Sequence, residues 1–159
     1  MKLKIGLLSL IFFSSPAFAG DPEFISFAIK QAHERGFNGC DTAIKKVYEH
    51  AGGSDIRIET TTHSDNPSQF TMTSTWGSKG DSIFNKATLF KVGAQCKYDL
   101  TSIIQSQKSC LAYSKAVSAF DYVAETGDYI WMKNNGGVNL FLHPTGAGCT
   151  AIFSFDQKA

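Results

Sequence analysis

The stretch from Asp128 to Asp156 constrains the fold more than any other part of the chain. Tyr129-Ile130-Trp131-Met132-Lys133 is an aromatic, apolar run that stops at Asn134-Asn135-Gly136-Gly137. Val138-Asn139-Leu140-Phe141-Leu142-His143 stops at Pro144-Thr145-Gly146-Ala147-Gly148, and Cys149 to Phe155 makes a third run. Each has strand length, strand composition and turn residues at its ends. Asn135-Gly136 suits a tight hairpin turn, whose central positions need positive φ. The expected C-terminus is a three-stranded antiparallel meander with Cys149 opening its last strand. Alternation puts Val138, Leu140 and Leu142 on one face and Asn139, Phe141 and His143 on the other. Leu140 and Leu142 are expected in the core, opposite Phe153 or Phe155. If Ile130 and Met132 also point inward, Tyr129, Trp131 and Lys133 are left outside. The competing arrangement buries both Trp76 and Trp131 in the sheet.

The opening of the chain has a different character. Met1-Lys2-Leu3-Lys4 is basic, Ile5 to Phe13 is apolar, and Ala17-Phe18-Ala19 has the small-x-small pattern of a cleavage site. Residues 1–19 read as a secretory signal peptide, too short in its apolar run to span a bilayer permanently. The expected product, residues 20–159, is one exported globular domain, periplasmic or secreted, with no membrane insertion of the mature chain. The formal charge of +1 includes Lys2 and Lys4, so their removal leaves −1. A near-neutral domain without a basic stripe argues against nucleic acid as its partner.

Between these ends the period changes once. Asp21-Pro22 caps and starts a helix, Phe24, Ile25, Phe27, Ala28, Ile29 and Ala32 recur at helical spacing, and Gly36 stops it. Asp41 or Thr42 can cap a second helix with Ala43, Ile44, Val47 and Tyr48 as its apolar stripe. From Ile56 the pattern alternates every second residue through Thr61. It resumes from Phe70 to Trp76, with Thr-rich faces towards water. Ile83 to Val92 and Gln95 to Ile104 are two more strands. Residues 110–124 are ambiguous, with a helix favoured over the later half. No internal repeat is visible. The expected fold is α+β: two N-terminal helices packed on a mainly antiparallel, meander-type β-sheet.

Cys40, Cys96, Cys110 and Cys149 make an even number, which in an exported chain reads as two disulfides stapling that fold. Of the three connectivities, Cys96–Cys110 and Cys40–Cys149 are expected, a short local loop and a long tie. No C-x-x-C or H-E-x-x-H spacing points to a metal, and no residue pattern calls for a cofactor. There is no G-x-S-x-G elbow and no Walker loop. Glu59, Asp81, Asp99, Asp121, Glu125 and Asp128 are scattered rather than paired for glycoside chemistry. His33, His50 and His63 sit at helix ends or in a turn; His143 closes a strand before Pro144.

In size, export and cysteine use the chain resembles the small α+β proteins with two disulfides of Gram-negative periplasms. Several of these bind and inhibit enzymes, including cell-wall hydrolases and toxins from neighbouring cells. The resemblance implies a non-catalytic protein-binding domain, an inhibitor or immunity protein whose partner is an envelope-targeting enzyme or toxin. The alternative is a small envelope hydrolase or ligand-binding protein with a pocket between helices and sheet. For a binding protein the expected contacts lie in two turns: Trp76, Lys79 and Asp81 at one, His143 and Thr145 at the other. Glycines and Pro144 give those turns close approach and stiffness. Helix faces carrying Lys30, Gln31, Glu34, Lys45, Lys46 and Glu49 read as solvated surface.

Overall fold

The computed structural model describes residues 21–53, 55–78 and 81–158, the side chains of Asp81, Gln157 and Lys158 excepted. Residues 1–20, with the segment expected to be a signal peptide, and Lys79 therefore lie outside the described residues.

Helix α1 (Pro22–Glu34) begins where Asp21 accepts a hydrogen bond from the Glu23 amide at 2.9 Å. It ends in a Schellman motif. Gly36 takes φ 78°, its amide donates to the His33 carbonyl, and the Phe37 amide donates to that of Ala32. Phe24, Ala28 and Ala32 form its buried stripe. Helix α2 (Asp41–Val47) follows with Cys40, not Asp41 or Thr42, at its cap position. Asp41 is drawn instead to His33, whose Nε2 lies 2.8 Å away. That contact holds the corner between the helices.

Four strands then run as a meander: β1 (Arg57–Thr62), β2 (Gln69–Ser78), β3 (Asp81–Val92) and β4 (Gln95–Ser106). A third helix, α3 (Cys110–Ala116), leads into a second meander. Its strands are β5 (Phe120–Thr126), β6 (Tyr129–Asn134), β7 (Asn139–Thr145) and β8 (Gly148–Lys158). All eight form one antiparallel sheet in the order β1-β2-β3-β4-β8-β7-β6-β5. The expectation for residues 110–124 is reversed: the earlier half is helical, capped by Ser109 through the Ala112 amide, and the later half is strand. The turn after β6 is also longer than a two-residue hairpin. Gly137, not Asn135, takes positive φ, and the Asn134 side chain accepts from the Val138 amide at 2.9 Å.

The disulfides are Cys40–Cys96 and Cys110–Cys149, which overturns the expected pairing. The reason is the length of β4. Cys96 is near its start and Cys110 lies beyond its end, so ten residues of strand separate them by roughly 35 Å. A bridge needs Cα atoms within about 7 Å.

The true pairing reveals a repeat. In each half, a cysteine at the N-terminus of a seven-residue helix is bonded to the second residue of the fourth strand of the following meander. The strand registers carry β2 onto β6 and β3–β4 onto β7–β8 at constant offsets. Met72 then matches Met132, and Leu89 matches Leu142. Gly93-Ala94-Gln95-Cys96 matches Gly146-Ala147-Gly148-Cys149. Gly93 and Gly146 take φ 64° and 60° in equivalent Gly-first hairpin loops. We call the halves the first module (α2, β1–β4) and the second (α3, β5–β8); α1 has no counterpart.

Both modules pack their helices on the same face. Leu100 and Phe155 stand opposite each other across β4–β8, as do Ile104 and Ala151. Leu100 belongs to the core beneath α1 and α2, and Ala151 to the core beneath α3. Leu140 and Leu142 are fully buried there, with Phe153 opposite Leu140 as expected. The other face of the sheet carries no helix among the described residues.

Candidate functional site

On that uncovered face, the registers align one residue from each successive strand into a row. Trp131 pairs with Phe141, Phe141 with Ile152, Ile152 with Ile103, and Ile103 with Phe84. Five adjacent strands thus present an unbroken apolar stripe roughly 20 Å long. Beyond Phe84 the row turns polar, through Thr75 to Arg57 on β1. The alternation that buries Ile130, Met132, Leu140 and Leu142 on the helical face forces their neighbours outward. Trp131 is 44% exposed and Tyr129 41%.

Aromatic pairing organises the stripe. The Trp131 and Phe141 rings meet edge to face, with centroids 4.7 Å apart and planes at 84°. Tyr129 lies over His143 at 4.6 Å. Polar side chains border the row on both sides, with Lys133, Asn139 and Lys86 along one edge. Along the other, Gln105 donates to Thr150 at 3.0 Å, and the Thr145 and Thr150 hydroxyls lie 3.3 Å apart. An apolar centre with a polar, hydrogen-bonding rim has the anatomy of an interface.

The residues expected from the sequence are distributed unevenly over this geometry. Trp76 is removed from the surface: it is 6% exposed and packs against Phe24 and Tyr48 in the first core. Its inward orientation follows from the register, which puts it on the face of Met72 and Ser74. What remains of its surface borders a groove of about 510 Å³ beside Asp55, Arg57 and Ser82. Asp81 opens β3 opposite Ser78. His143 is half-buried under Tyr129, and Thr145 is exposed at the β7–β8 turn. The two turns close at the same end of the sheet, with the end of β4 between them. The aromatic row was legible only as one of two alternatives, because period 2 says which residues share a face but not which face is covered.

Among the described residues the titratable groups do not assemble into a reaction centre. Among the described residues no three His, Cys, Asp or Glu side chains are grouped to hold a metal ion. Asp99 and Asp156 face each other across β4–β8, but both are exposed on the open sheet. His63 lies 3.2 Å from Thr71, and His50 3.4 Å from Glu49. The strongest perturbation is structural: burial pushes the Tyr48 phenol up to about 12, offset in part by the hydrogen bond that Ser74 donates to it. Both disulfides leave no free thiol. No helix among the described residues is long and apolar enough to cross a membrane. The chain matches no family model, no curated protein and no solved structure with which it was compared.

Proposed function

We propose that the protein is a non-catalytic binding domain of the periplasm or extracellular space, which docks another protein on the outer face of its second module and neutralises it. The observation that carries this reading is the Trp131–Phe141 pair on the uncovered face, where Trp131 is exposed and Phe141 half-buried. The first module builds the same scaffold with Thr71 and Thr88 at the equivalent positions, so folding does not require aromatic rings there. Large exposed aromatics that the scaffold does not need supply contact area at low entropic cost, and tryptophan and tyrosine dominate binding hot spots. A sheet held by two disulfides loses little conformational freedom on association. Rings set almost perpendicular offer no common plane for stacking a flat polysaccharide, which favours a protein surface. An oxidised, cross-linked domain suits an oxidising compartment. The partner we infer is an envelope-targeting enzyme or toxin.

The test uses the immobilised mature domain, beside a Trp131→Thr/Phe141→Thr variant, to capture proteins from envelope extracts. The expected result is a protein retained by the unaltered domain and lost by the variant, whose enzymatic activity falls stoichiometrically when the purified domain is added. Equal retention by both forms overturns the site. A partner that keeps full activity when bound overturns the inhibitor reading and leaves the docking surface intact.

A further inference from the structure

A second feature lies on the opposite face, at the seam between the modules. Helices α1 and α2 cover the first core and α3 the second, and among the described residues no helix bridges them over the central strands β4 and β8. The seam is open as a groove of about 390 Å³, at the small end of the roughly 300–1,000 Å³ typical of ligand pockets. Its floor and one wall are Ile83, Leu100, Ile104, Phe153, Phe155 and Val138, and Val47 with the end of α2 forms the other wall. An apolar floor between two packed cores normally closes on itself; here it stays reachable.

The floor is interrupted by one polar station. Ser102 lines the groove and donates to the Oδ1 of Asn85 at 2.6 Å. Asn85 is 1% exposed, and its Nδ2 has no hydrogen-bond partner. A buried amide left half-satisfied costs free energy that an apolar pair at these positions avoids. The pair is therefore not explained by packing. Because Ser102 donates inward, its oxygen keeps acceptor capacity for a molecule in the groove.

Charge narrows the ligand further. The floor carries no ionisable carboxylate or cation, and the mouth holds one of each sign, Lys46 and Glu49, with His50 beside Glu49 at 3.4 Å. The Tyr98 phenol at the same mouth is raised first by burial and then by the charge of Glu49, so that carboxylate's field reaches the opening. Lys46 on the same wall offsets that field, so the opening favours neither sign of charge, and the apolar floor gives an ionised group no partner.

We propose that the seam binds a compact, uncharged, largely apolar small molecule of two or three rings, which donates one O–H or N–H hydrogen bond to Ser102. This site is separate from the outer-face docking surface and does not depend on it.

The test pairs two fluorescent probes with the same ring systems. N-phenyl-1-naphthylamine is neutral and has one N–H; 8-anilinonaphthalene-1-sulfonate adds a sulfonate. The neutral probe is expected to bind one per chain with a Kd on the order of micromolar, and the sulfonate at least about tenfold more weakly. Val138→Trp on one wall and Lys46→Trp on the exposed other wall each fill the groove. Each should weaken the neutral probe about tenfold or more, with thermal unfolding confirming that the variants fold. Ser102→Ala should weaken it by about three- to tenfold. The Trp131→Thr/Phe141→Thr variant should bind it unchanged. No saturable binding, equal affinity for both probes, insensitivity to both filling variants, or loss of signal in the outer-face variant each overturns the proposal.

Discussion

In the first module Thr71 and Thr88 stand opposite each other across β2–β3, 3.4 Å apart through their hydroxyls, with His63 resting on Thr71. In the second module the equivalent pair is Trp131 and Phe141. Behind both pairs the scaffold is the same: Met72 and Met132, Leu89 and Leu142, and a cysteine after a Gly-Ala turn bonded to the start of a short helix. The helical face is thus set by folding in both halves, whereas the outer face is free to differ. One half uses that freedom for threonines and the other for exposed aromatics. The first module also keeps α1 over its outer strands, and the second leaves Tyr122 and Val123 uncovered at its edge. A position that holds threonine in one module and tryptophan in the other is one that the shared scaffold does not fix.

The comparison can be broken most directly at the disulfides. The bridges enclose separations of 56 and 39 residues, for which loop entropy gives about 4 kcal/mol each, equal to within about 0.5 kcal/mol. Cys40→Ser/Cys96→Ser and Cys110→Ser/Cys149→Ser should therefore lower stability alike in urea titrations. A difference above about 2 kcal/mol would show that the modules are equivalent in path but not in energy. The next test is the matched core pair. Leu89→Ala and Leu142→Ala, both at fully buried positions, should each cost about 2–5 kcal/mol. A loss below about 1 kcal/mol for only one of them would mean that its core is the looser.

A third test separates the modules by pH. Tyr48 follows α2 and is fully buried in the first module, whereas Val117 follows α3 in the second. The folded pKa of Tyr48, about 12, exceeds the ordinary value of 10.0. The phenol's contribution is thus complete below about pH 10 and is lost as pH rises from there through about 12, by roughly 2–3 kcal/mol. Burial also raises Tyr98 and Tyr113, which adds to the same alkaline decline. Tyr48→Phe should flatten most of that decline while costing about 1 kcal/mol at neutral pH, because the Ser74 hydroxyl loses its acceptor. An unchanged alkaline slope would place the sensitivity elsewhere. The smallest stability effect sharpens the functional contrast. Trp131→Thr/Phe141→Thr, which gives the second module the residue types of the first, should change stability by no more than about 1 kcal/mol, the worth of a cross-strand aromatic pair. Partner capture should nevertheless be lost. A much larger destabilisation would return the aromatic row to a structural role.

The parts of this protein that its sequence determined are those governed by neighbours along the chain. Asp21-Pro22 and Gly36 bound α1 because capping and left-handed φ are local stereochemistry. The strands through residues 57–106 and 129–155 follow from alternation, and Leu140 and Leu142 are buried because that alternation has one apolar face. The repeat was also present, in Gly93-Ala94-Gln95-Cys96 and Gly146-Ala147-Gly148-Cys149, but three residues recurring at distant positions carry little weight without the strands that make them equivalent. What the tertiary structure alone decided is which elements meet. The partner of β4 is β8, an encounter across the whole second meander, and no property of either strand by itself selects it. The helix α3 lands on the same face as α2, so the face of Trp131 is open and that of Trp76 is closed. The cysteines pair within modules because a straight β4 holds Cys96 far from Cys110, a distance set by extended backbone and not by separation along the chain.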